Sequence, residues 1–212
     1  EPYTQGGADI DNDLGRLCTA AVLARDKKFD LLVRKEPRYR DASLGYMPTS
    51  ASEMQQYYTA KYDLLSSLVG ENGCAKGLND IYISLFNEPN NKLFNRNQYV
   101  NGRWVAPEDT VQLYAYVYPR LHAAAKELGI NLKIVGGELD QNHTLTFLKK
   151  TQEYIRAHKI TTPLMDIYAQ HYYVQRYTNR NLEVAISNMQ KAMLARKETY
   201  GNIPVWYTEV GA

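Results

Sequence analysis

Apolar residues fall along this chain in two alternating rhythms. Short, nearly continuous runs at Phe29 to Val33, Ile81 to Phe86, Leu132 to Gly136, Met165 to Gln170 and Ile203 to Tyr207 read as strands covered on both faces. Between them the period becomes helical, over about Asp13 to Lys27, Ser52 to Val69, Pro107 to Gly129, His143 to His158 and Leu182 to Tyr200. Boundary residues agree with these limits. Pro107, Glu108 and Asp109 open the third helix and Gly129 closes it, while Gly201 closes the last one. Pro119 is expected to kink the third helix. The longest irregular stretch runs from Asn90 to Ala106.

Strands that alternate with helices predict parallel pairing with crossover helices. The matching closed architecture is the α/β TIM barrel, the (β/α)8 fold, which needs eight strands and typically about 250 residues. Five strands and a leading helix are present. Residues 1-212 are therefore expected to be one domain that forms an internal, incomplete portion of such a barrel, with two strands before Glu1 and one after Ala212.

Composition changes this picture little. With 44% hydrophobic and 23% charged residues, the 212-residue chain supports one substantial core. A net charge of +2 from 25 basic and 23 acidic residues, with no long like-charged run, argues against a nucleic-acid partner. No stretch reaches the roughly 20 apolar residues of a membrane span, and, with Glu1-Pro2-Tyr3 at the start, any secretion signal is expected to have been removed. A secreted or extracellular setting is expected. Of the two cysteines, Cys18 falls on the apolar face of its helix, which favours a buried inert thiol. Cys74 lies in a Gly-flanked loop, and a Cys18 to Cys74 disulfide is the alternative.

Two carboxylates stand at strand ends. Glu88 leaves Ile81 to Phe86 within Leu85-Phe86-Asn87-Glu88-Pro89-Asn90, and Glu209 leaves the last strand within Thr208-Glu209-Val210-Gly211. Barrel enzymes keep their chemistry at that end of the sheet, and paired acids suit hydrolysis of a glycosidic bond. Three strand-plus-helix units of about 40 residues separate the two. A flat sheet would hold residues three strands apart at about 14 Å, so barrel closure is expected to bring them together. Glu88 is assigned as acid and base, with Asn87 beside it to hold a sugar hydroxyl, and Glu209 as nucleophile, kept ionised by Tyr173. His171 and Tyr173 alternate onto one side of the strand between them and are the expected substrate-binding pair, His171 being read as contacting substrate or the acid network, with a satisfied structural histidine as the alternative. His122, His143 and His158 lie in helical patterns and read as surface or capping residues.

These motifs resemble clan A of the glycoside hydrolases, the retaining (β/α)8 barrels that include cellulases, mannanases and β-xylosidases. Asn87-Glu88-Pro89 is similar to the motif that ends the fourth strand and supplies the acid and base. Thr208-Glu209-Val210-Gly211 is similar to the Thr-Glu-x-Gly pattern of the seventh-strand nucleophile, and His171-Tyr172-Tyr173 to a sixth-strand His-x-Tyr. The resemblance implies that the chain covers strands 3 to 7 and acts by double displacement, with carboxyl groups roughly 5 to 5.5 Å apart. The clan's second-strand arginine and eighth-strand tryptophan would fall outside the chain. The third strand ends in Arg34-Lys35-Glu36 without a histidine.

With 18 Tyr against 4 Phe, aromatic walls for sugar rings are expected, Trp104 and Tyr99 being the stacking candidates. Trp104 as a simple loop anchor is the alternative. Glu138 and Asp140 are read as binding sugar hydroxyls or as solvated helix-start acids, and Asn142-His143-Thr144 as a glycosylation sequon. The expected function is a retaining β-glycosidase acting on a polysaccharide or oligosaccharide, with carbohydrate as partner and no cofactor or metal. A catalytically silent carbohydrate-binding barrel, an inactive fragment and a transglycosylase are the rivals.

Overall fold

A computed structural model describes residues 3–4, 10–34, 38–39, 47–92, 94–95, 98–141, 143–173 and 182–211. In chain order the elements are β1 (Tyr3–Thr4), α1 (Ile10–Lys27), β2 (Leu31–Val33), β3 (Arg38–Tyr39), α2 (Ala51–Val69), β4 (Asp80–Ser84), β5 (Tyr99–Val100), β6 (Arg103–Trp104), α3 (Ala106–Leu128), β7 (Asn131–Leu139), α4 (Thr144–Ala157), β8 (Ile167–Tyr173), α5 (Leu182–Tyr200) and β9 (Val205–Gly211). All five expected strands and all five expected helices form.

Element limits shift for local reasons. β2 starts after Phe29, whose N–H closes the end of α1 on the Ala24 carbonyl and whose side chain is exposed. β9 starts after Pro204, which has no N–H to give the ladder, although its carbonyl accepts from Tyr168. Ser50 and Glu53 form a reciprocal capping box at the start of α2. α3 runs unbroken through Pro119 and ends at Gly129, whose φ of 70° is left-handed. The stretch after Glu88 is not wholly irregular, because β5 and β6 pair as a hairpin across Asn101-Gly102, both at positive φ. Asn-Gly is the sequence signal for that turn.

Strands β2, β4, β7, β8 and β9 pair in parallel in that order. Their outer faces carry Ile81, Ile83, Ile134 and Tyr168 against Leu65, Leu68, Val117, Leu121 and Phe147 of the helices, forming the main core. The inner face holds a smaller cluster of Val135, Ile167 and Ala169 with Leu32, Tyr82 and Trp206. Tyr82 on β4 and Trp206 on β9 are three strands apart, yet their ring centroids lie 4.8 Å from each other. Flat pairing would separate them by about 14 Å. The sheet is therefore curled into a half-barrel, and this curl performs what closure was expected to do. Among the described residues, β2 and β9 each pair on one side only.

Cys18 is not the inert thiol favoured from its apolar face. It is bonded to Cys74, with Cα atoms 5.7 Å apart at a sequence separation of 56. Helical placement showed which face Cys18 occupies but not that the α2–β4 loop returns to that face.

Candidate active site

Glu88 extends the ladder of β4 beyond its last paired residue. Leu85 N–H donates to the Val135 carbonyl at 3.1 Å, and Glu88 N–H to the Glu138 carbonyl at 3.0 Å. Glu88 has φ 45°, an uncommon conformation for a residue with a side chain, and it is held there by contacts on both sides. One carboxylate oxygen lies 2.8 Å from His171 Nδ1, and the other accepts from Asn91 Nδ2 at 2.8 Å. Asn91 also donates to Asp140, 3.0 Å away. Asn90 and Asp140 clasp each other, amide to carbonyl and N–H to Oδ1, at 2.8 and 2.9 Å. Asn87 is buried immediately before Glu88.

Strand parity alone would send Glu209 outward with Val205 and Tyr207. The register prevents this: Gln170 pairs with Tyr207 but His171 pairs with Glu209, so Thr208 is an extra residue between them. Such a bulge re-aims the side chain that follows it. Glu209 consequently shares a register position with His171, which follows Ile167 and Ala169 on the inner face.

Both Glu209 oxygens are engaged. The Tyr173 hydroxyl donates to Oε2 and Arg34 Nη1 to Oε1, while His171 Nδ1 lies 3.7 Å from Oε2. Partial burial pushes its carboxyl up, but the Tyr173 and Arg34 hydrogen bonds and the nearby His171 outweigh that and hold it below the ordinary carboxylate range. The same bond, together with burial, pushes the Tyr173 hydroxyl up to about 12. Arg34 was noted in sequence only for the absence of a histidine beside it. Its signal was its position, one residue past the end of β2.

Glu88, His171 and Glu209 bring one polar atom each within 4.8 Å of one another. A divalent cation could span that gap, but protein donors already meet all four carboxylate oxygens, so the arrangement suits proton and nucleophile chemistry better. One oxygen of each acid thus lies within 4.8 Å of an oxygen of the other, close enough for both to meet a single bound group.

No protein-family model and no curated protein matches this sequence. Among solved structures the chain is similar to the Ignisphaera aggregans GH53 catalytic domain, with 19% sequence identity and a TM-score of 0.50 over 98% of this chain and 71% of that one. At that identity the likeness is one of fold. It makes the curled sheet a partial barrel of the kind that also serves a glycoside hydrolase catalytic domain.

Other expected site residues lie elsewhere or behave differently. Glu138 does not reach solvent for a sugar hydroxyl, because its side chain is fully buried within β7. Asp140 is likewise buried and bonded rather than a solvated helix-start acid. Trp104 turns its indole edge-on to Phe147, centroids 5.8 Å apart, and packs against the outer core, which makes it an anchor of the hairpin. Tyr99 is exposed on β5. His122 is bonded to Asp166 at 3.0 Å, and His143 and His158 flank α4. Asn142 lies outside the described residues. Sequence reading missed Asn91 and Arg34; the former sits one turn beyond Glu88, where a side-chain amide can reach back to the carboxylate.

Proposed function

We propose that this protein is a retaining glycoside hydrolase that cleaves β-linked saccharides by double displacement. The observation that supports it is the asymmetric pair: Glu209 held ionised by Arg34 and Tyr173, within 4.8 Å of a Glu88 carboxylate set between His171 and Asn91. Glu209 attacks the anomeric carbon as Glu88 gives its proton to the departing glycosidic oxygen, which leaves a glycosyl ester on Glu209. Glu88 then takes a proton from water, whose oxygen attacks the same carbon and releases Glu209. Two inversions give net retention. Tyr173 and Arg34 orient the nucleophile, His171 lies against both acids, and Asn87 is placed to bind a sugar hydroxyl beside the bond being cleaved.

On this reading β2, β4, β7, β8 and β9 are strands 3 to 7 of a (β/α)8 barrel. The Cys18–Cys74 disulfide supports action in an oxidising, extracellular setting. Azide rescue tests the assignment with aryl β-glycosides. Glu209→Ala with azide should yield the α-glycosyl azide, and Glu88→Ala the β-glycosyl azide. Saccharide binding by the wild-type protein with neither hydrolysis nor rescue would make it a carbohydrate-binding barrel.

A further inference from the structure

Glu138 takes no part in the mechanism above, yet it touches both halves of the site. β7 and β8 pair Gly137 with Ala169 and Leu139 with Gln170, so Glu138 is the extra residue of a bulge. Its φ is 43°, and Gly137 before it has φ 82°. From this position its carbonyl accepts the Glu88 N–H, while its carboxyl turns into the protein. There Oε2 accepts from the Ser84 hydroxyl, and Oε1 faces Arg34 Nε at 3.8 Å. Through Nη1 the same guanidinium holds Glu209. The charged or titratable groups facing the Glu138 carboxyl are Arg34 after β2, Lys61 on α2 and His171 on β8. Lys61 is itself buried and donates to the Ser84 carbonyl at 2.9 Å.

We propose that Glu138 is a positioning residue that shares Arg34 with Glu209, so that the charge on Glu138 sets how firmly the guanidinium holds the nucleophile. This rests on the retaining reading. A neutral Glu138 leaves Arg34 to Glu209, whereas an ionised one draws it away and frees a Glu209 lone pair for attack. Burial pushes the Glu138 carboxyl up, only partly offset by Arg34, Ser84, His171 and Lys61, so its ionisation follows that of Glu209 as pH rises.

The test is the rate at which the full-length protein forms a glycosyl ester with a 2-deoxy-2-fluoro-β-glycosyl fluoride, followed against pH by intact mass. In this step a Glu209 oxygen bonds to the anomeric carbon and fluoride leaves, so no proton from Glu88 is needed. The wild-type rate should climb once as Glu209 ionises and again by about threefold, the equivalent of roughly half a pK unit, as Glu138 does. In Glu138→Gln the second rise should vanish and the rate stay at its lower plateau. Should that variant not fold, Arg34→Lys serves, since a single ammonium lacks the fork that reaches both carboxyls and the second rise should again be lost. Labelling of Glu209 with superimposable profiles in wild type and variant would overturn the role of Glu138 alone. Absence of any Glu209 adduct in the wild-type protein would overturn the retaining reading and this inference with it.

Discussion

In the proposed mechanism Glu209 carries the heaviest demand of any single side chain, because it must be anionic before attack and covalently bonded after it. Glu209→Gln keeps the shape of the donor set and removes the nucleophile; turnover of aryl β-glycosides should fall by roughly 10³-fold or more while thermal unfolding changes little. Tyr173→Phe removes one bond to the charge, so kcat/KM should fall roughly 10- to 100-fold, in keeping with about 1.5–3 kcal/mol for a charge-assisted hydrogen bond. The sign of its pH effect follows from the same bond. Tyr173 helps lower the Glu209 carboxyl, so the acid limb of kcat/KM should move to higher pH in Tyr173→Phe. An unmoved limb would mean that Tyr173 does not hold the carboxylate. Glu138 works the other way on stability. With its folded carboxyl pushed above the ordinary range, stability is full below that range and declines as pH rises toward its folded value. Relative to wild type, Glu138→Gln should thus be more stable at pH 8 than at pH 4, as read by thermal denaturation.

At the scale of strands and helices, two bulges decide the site. One, at Thr208, turns Glu209 onto the inner face; the other, at Glu138, opens the carbonyl that grips Glu88. Gly137 makes the second bulge possible, since a Cβ at its φ of 82° would lie 2.7 Å from the Tyr168 ring and 2.9 Å from the Ala169 carbonyl. Gly137→Ala should destabilise the protein by roughly 1–3 kcal/mol and lower activity as well, measurable by denaturant titration beside kinetics. These bulges mark where sequence reading ended. Apolar runs and helical periods gave the five strands and five helices, and both acids could be seen at strand ends, because burial and chain reversal leave compositional marks. A bulge leaves none: Val205, Tyr207 and Glu209 share a parity in sequence and part company only through pairing with β8. The same blindness left Glu138 between a sugar-binding acid and a solvated helix-start acid and left Arg34 unassigned, as both acquire their partners from neighbouring strands.

At the scale of the whole sheet, the curl of the five described strands is enough to gather the site. Three strand steps are bent until Tyr82 meets Trp206, and one oxygen of each carboxylate then lies within 4.8 Å of the other. The disulfide ties α1 to the loop before β4, the strand that carries Glu88. Its reduction should cost about 2–4 kcal/mol through the freed loop, seen as a lower denaturant midpoint under reducing conditions. The most direct test of the paired-acid mechanism is the anomeric form of the first product, followed by proton NMR from the start of hydrolysis of an aryl β-glycoside. Retention through Glu209 requires the β-anomer to appear first and the α-anomer only later by mutarotation, whereas an α-anomer formed first would show that water, not Glu209, attacks the sugar.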